Sequence, residues 1–245
     1  MVAKMEPALK PSSAILLALV PGALIAILYF ATAPQFLRHG YPSFSALLVS
    51  IAVILVPFEM GVVLFEGKKL TGRCSLRGAV PYTERIPASR FIFLVTIILF
   101  WDYTVSAVLA RFDRLLLGRF FFWFPHWALP PENLYPRSGA YPHDVTNVVI
   151  GAGLILAGVV APIVEEIYFR GYLLPRMSFA GRHAPLLNAV LFSAYHFTFP
   201  WSFVSRAIAV APMAYVVART RNVYVGMVTH ILFNVTGGLL FLSRH

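Results

Sequence analysis

Three groups of polar residues interrupt the apolar C-terminal half of the chain. Glu165 and Glu166 are adjacent, and Arg170 follows the second by four residues. His196 follows Phe192 by four, and Asn234 follows His230 by four. A carboxylate beside an imidazole in a pocket poor in water can take a proton from a water molecule. A second imidazole and a side-chain amide can donate hydrogen bonds to a developing oxyanion. Together these are the parts of a peptide-bond hydrolase. A divalent metal such as zinc is an equally open route, since Glu165, His196 and His230 could ligate it and activate water through it.

The spacing assigns sides. Glu166 and Arg170 share a helix face and can pair. Glu165 points about 100° away from Glu166, free to face a pocket. His230 and Asn234 also share a face. The division expected is Glu165, His196, His230 and Asn234 in the chemistry, with Glu166 and Arg170 in support.

The elements that must carry these residues are membrane helices. The 245 residues are 59% hydrophobic and only 12% charged, about half the charged share of a soluble domain. Mean hydropathy is +0.75. Apolar runs long enough to cross a bilayer cover roughly residues 14–33, 44–65, 91–110, 147–168 (running on to about 177), 185–199, 203–218 and 223–242. They lack the alternation of an outer-membrane barrel. The fold class expected is all-α: a polytopic bundle of about seven to eight transmembrane helices around a catalytic cavity. The aromatic stretch 115–127 is expected to lie at the interface, because Arg119 and Pro125 interrupt it. Lys4, Lys10 and Ala31-Thr32-Ala33 imitate a signal peptide, but the first apolar run is too long for one.

The fourth and fifth spans form a hairpin with a turn expected near Gly181. Glu165 precedes that glycine and His196 follows it by nearly equal distances. On helical arms each lies about 23 Å from the turn, at matching depth. His230 lies only about 13 Å from the next turn, near Arg221, so the last helix must be tilted or staggered to join them. Pro162 is expected to kink its helix and free backbone groups near the site.

The net charge of +10 is carried mostly by loops, which suits lipid headgroups and orientation rather than nucleic acid. The loop from Glu66 to Arg90 holds Lys68, Lys69, Arg73, Arg77, Arg85 and Arg90. It is expected to be cytoplasmic, with a cytoplasmic N-terminus. Arg111, Arg114, Arg119 and Arg137 weaken that bias on the other side. The whole chain, 1–245, is expected to be one membrane domain. Its three-helix N-terminal part covers 1–113, and the part with the motifs covers 146–242, the two joined by the Pro-rich stretch 124–144. Glu59 and Asp102 also fall in apolar spans and are expected to pair structurally or line a cavity. The lone Cys74 forms no internal disulfide. Ser193 precedes His196 by three residues but lacks a Gly-x-Ser-x-Gly elbow. Asn234-Val235-Thr236 fits a glycosylation sequon but lies within a span.

Glu165-Glu166-x-x-x-Arg170, Phe192-x-x-x-His196 and His230-x-x-x-Asn234, in that order on apolar spans, resemble the CAAX prenyl protease and bacteriocin-processing family of intramembrane proteases. The likeness covers about residues 146–242. It implies an endopeptidase in which Glu165 and His196 activate water, His230 and Asn234 stabilise the oxyanion, and Glu166 and Arg170 support the site. It implies a peptide or protein substrate, in some members lipidated at its C-terminus, with membrane lipids as surroundings and no nucleic acid. The family is described both as metalloproteases and as metal-free glutamate enzymes. The location expected is the cytoplasmic membrane of a bacterium or archaeon. Two other classes compete: a non-catalytic interaction or immunity protein on the same fold, and a proton-coupled transporter. The transporter would show two related halves, and none is visible in the sequence.

Overall fold

The computed structural model of the chain describes residues 8–128 and 140–242. Lys4, Arg137 and the centre of the Pro-rich stretch lie outside the described residues. Among the described residues there is no strand, only an isolated bridge between Thr83 and Asn222.

The apolar runs fold as α1 (Pro11–Arg38), α2 (Ser43–Thr71), α3 (Ala88–Phe120), α4 (His143–Arg176), α5 (Ala184–Tyr195), α6 (Phe203–Thr220) and α7 (Val223–Leu242). All but α5 are long and apolar enough to cross a bilayer. The chain is an integral, multi-pass membrane protein with an all-α bundle. Large apolar side chains such as Ile27, Phe100, Val108 and Val148 remain exposed on the outside of the bundle, as expected of surfaces that meet lipid.

Two boundaries differ from the sequence expectation. Residues 115–120 continue α3 instead of forming part of a separate interfacial segment. The chain turns only after Phe121; Phe121 and Phe124 then pack with Trp201, Phe124 also meets Phe30, and Trp123 packs on Phe121 and Phe124. The fifth span ends at Tyr195 rather than near 199. Pro200 bars helical geometry at Phe199, which has φ −136° and ψ 61°. His196 itself leaves the helix with ψ 62°.

The loops sort to two ends. At one end, Leu9 N–H donates to the Arg176 carbonyl, Arg176 Nη1 donates to the Ala79 carbonyl, and Glu84 N–H donates to the Arg221 carbonyl. The start of α1, the basic loop after α2, the α4–α5 turn and the α6–α7 turn therefore share that end. Gly181 makes the α4–α5 turn with φ +52°, a backbone region that favours glycine. At the other end, Ser43 Oγ donates to the Trp127 carbonyl, and Ser193 Oγ donates to the Phe203 carbonyl.

Two helices carry π turns, each followed within two residues by a proline. In α2 the turn is Ile51–Leu55, ahead of Pro57; in α4 there are two, Leu156–Val160 ahead of Pro162 and Ile167–Leu173 ahead of Pro175. The first turn of α4 frees a carbonyl. A π turn pairs residues five apart, and Ala161 N–H donates to the Leu156 carbonyl. The next bond would run from residue 162 to Ala157, but proline has no N–H to give. The Ala157 carbonyl is thereby released toward the bundle interior.

Candidate active site

That released carbonyl is met by Asn234, whose Nδ2 donates to it at 3.0 Å. Asn234 thus ties α7 to the wide turn of α4. One amide hydrogen remains, on a side chain that also lines the central cavity.

The cavity has a volume of about 770 Å³. Its wall includes Glu165, His196, His230 and Asn234, drawn from α4, the end of α5, and α7. Tyr195, Phe192 and Met213 make much of the remaining wall apolar. A smaller groove of about 270 Å³ adjoins it, lined by Gly153, Gly158, Gly237 and Gly238 and sharing Ala157 and Asn234 with the main cavity.

Glu166 takes no part in that wall. Its carboxylate is fully buried, with Oε1 3.1 Å from Arg170 Nη1. The Arg170 guanidinium also lies over the Phe192 ring, 4.1 Å from its centroid. Both charges lie on α4, and each needs the other, because neither can be left alone in a low-dielectric interior. The same Oε1 accepts from His230 Nδ1 at 3.1 Å. Close approach of α7 depends on Gly226, where a Cβ would fall 2.5 Å from Glu166 Oε2.

The bond to Glu166 puts a ring proton on His230 Nδ1 and turns Nε2 toward Glu165. The distance to Glu165 Oε2 is 3.9 Å, too long for a hydrogen bond. His196 Nδ1 donates to the Phe192 carbonyl at 2.8 Å. A carbonyl only accepts, so the proton sits on Nδ1 and Nε2 keeps its lone pair. Gly22 of α1 permits this placement, since any side chain there would collide with the Tyr195 carbonyl.

The imidazole paired most closely with Glu165 is therefore that of His230, and Glu165 and His196 meet as walls of one cavity rather than as a bonded pair. The tilt required of the last helix is met, because His230 reaches both glutamates. Ser193 does not line the cavity; its hydroxyl is spent on the Phe203 carbonyl. Thr236 of the sequon bonds Tyr103 of α3 inside the bundle. Asp102 lines the cavity from α3, and its Oδ1 is buried without a hydrogen-bond partner among the described residues. Glu59 is fully buried facing Tyr195 and is not part of the cavity wall.

Sequence reasoning missed Arg206, which lines the cavity from the first turn of α6. The signal was an arginine inside the apolar run SFVSRAIAV. A metal would need several ligands converging on one point. Among the described residues no three His, Cys, Asp or Glu side chains do so. His230 Nδ1 is committed to Glu166 and His196 Nδ1 to a carbonyl, which leaves each Nε2 open. Because the side chains do not gather on one point, the set as arranged does not fit a resident zinc ion, and no step below passes through one.

An all-α membrane bundle with a buried Glu/His/His/Asn cavity is the architecture on which the comparison with known families falls. Residues 147–236 match the family model of type II CAAX prenyl endopeptidase, Rce1-like. The matched segment runs from α4 into α7 and contains all six motif residues. No curated protein and no solved structure matches the chain.

Proposed function

We propose that the chain is an intramembrane endopeptidase of CAAX type, hydrolysing a peptide bond with water activated by Glu165 and His196. The observation that carries this reading is that four groups suited to hydrolysis, from three separate helices, line one cavity inside the bundle. In the first step the Glu165 carboxylate takes a proton from water, and His196 Nε2 accepts a hydrogen bond from the same molecule. The water oxygen bonds to the scissile carbonyl carbon. Its carbonyl oxygen becomes an oxyanion, held by the free N–H of Asn234 and by Nε2–H of a His230 ring that carries both protons. The proton on Glu165 then passes to the leaving nitrogen as the C–N bond breaks. Glu166 and Arg170 keep His230 in position. The adjoining glycine-lined groove suits an alkyl chain on a lipidated substrate.

Purified protein in detergent would be given a fluorophore-labelled, S-prenylated CAAX peptide. Glu165→Gln keeps shape and removes the base, and cleavage is expected to fall by about 10²- to 10⁴-fold. Equal cleavage by Glu165→Gln and the native chain, both folded, would end the hydrolase reading. Absence of cleavage by the native chain would favour an interaction protein on this fold.

A further inference from the structure

Two cations in the cavity wall have no role in the chemistry above. Arg206 lines the cavity wall with Arg114 of α3. Its Nη1 is buried and has no hydrogen-bond partner among the described residues. The acids whose charge reaches it are Glu165 and Asp113. Asp113 Oδ2 accepts from Ser205 Oγ at 2.7 Å, and its Oδ1 has no hydrogen-bond partner among the described residues. Among the described residues Arg206 forms an ion pair with neither acid.

The contrast with Arg170 is informative. Arg170 is also buried, but it has the Glu166 carboxylate and the Phe192 ring. An arginine held inside a membrane bundle without such partners is costly, and such residues mark binding sites or ion paths. The planar guanidinium presents paired N–H groups that match the two oxygens of a carboxylate. The N-terminus of α6 adds its partial positive charge at the same place. Arg114 is exposed and supplies a second positive charge nearer the bulk solvent.

We propose that Arg206 receives the free C-terminal carboxylate of the peptide substrate, with Arg114 drawing it in. This inference rests on the hydrolase reading and adds the residue that holds the substrate's end. A cavity of about 770 Å³ is of the size that encloses a small ligand. It accommodates a few residues and no folded domain. Glu165 and Arg206 share its wall, so the scissile bond and the terminal carboxylate are separated by a short fragment. A carboxylate is the one anion that every unmodified peptide carries at its end.

The test uses two S-prenylated CAAX peptides with the same N-terminal fluorophore, one ending in a carboxylate and one in an amide. Both are given to the full chain in detergent, as the native protein, Arg206→Met and Arg206→Lys. The native protein is expected to cleave the carboxylate form about 10- to 100-fold faster in kcat/KM, the effect of a hydrogen bond to a charged group. Arg206→Met is expected to bring that ratio to about one, and Arg206→Lys to restore part of it. The ratio is insensitive to a general loss of folded protein. Fluorescence anisotropy of the same peptides gives the binding preference without any cleavage. A native ratio near one, or a ratio retained in Arg206→Met, overturns the inference while leaving the hydrolase intact. A binding preference that depends on Arg206 without cleavage supports the carboxylate site and overturns the hydrolase reading.

Discussion

His230 Nδ1 lies 3.1 Å from Glu166 Oε1, the same oxygen that lies 3.1 Å from Arg170 Nη1. One carboxylate thus serves two cations or donors, one on its own helix and one on α7. Glu166→Gln would leave Arg170 without a counter-charge and His230 with a weaker acceptor. Losing one partner of a buried pair costs about 3–5 kcal/mol. A lower unfolding midpoint in detergent and a lower kcat are expected together. An unchanged midpoint would show that the pair contributes nothing to the fold.

Asn234 has two duties in the proposed reaction, one structural and one chemical. Asn234→Ala withdraws the donor from the Ala157 carbonyl and the N–H aimed at the oxyanion. Loss of such a donor lowers kcat by about 10²- to 10³-fold. Steady-state kinetics on the CAAX peptide would measure it. A change confined to KM would remove Asn234 from the oxyanion site.

Gly226 offers a steric test of how closely α7 must approach α4. A Cβ there stands 2.5 Å from Glu166 Oε2, whereas one at Gly237 meets nothing within 4 Å. Gly226→Ala is expected to destabilise by about 1–3 kcal/mol through overpacking and to reduce kcat by displacing His230. Gly237→Ala is expected to do neither. Thermal unfolding and turnover of the two variants side by side decide the matter.

Cys74 is the only cysteine in the chain, and it is exposed in the basic loop. With that loop cytoplasmic, a membrane-impermeant maleimide should label Cys74 in inverted vesicles and not in right-side-out ones. The reverse pattern would turn the molecule over. The α5–α6 connection and Arg114 lie at the end opposite the basic loop, so the labelling also decides from which side a water-borne peptide reaches Arg114.

What the sequence made legible was local. Glu166 and Arg170 are four apart on one helix, and no knowledge of other helices was needed to pair them. The Gly181 turn followed from a glycine between two apolar runs. The partnership of His230 with Glu166 depends on the tilt of α7 against α4, which is set by small residues such as Gly226 and left no periodic trace. The early end of α5 was hidden because Phe197, Phe199 and Trp201 keep the composition apolar after the backbone has stopped being helical. Arg206 was overlooked because one basic residue near a span's edge resembles an orientation charge. Only the lack of an ion pair among the described residues marks it as different.

The brevity of α5 sets the geometry of the whole reaction. Twelve helical residues extend about 18 Å, well short of the ~30 Å hydrocarbon thickness. His196 consequently sits just past the tip of a helix shorter than the hydrocarbon layer, where the chain turns toward α6. On the proposed mechanism, the hydrolytic water need penetrate only the remaining fraction of the membrane. A protein that must bring solvent into oil has here shortened the shaft instead of widening it.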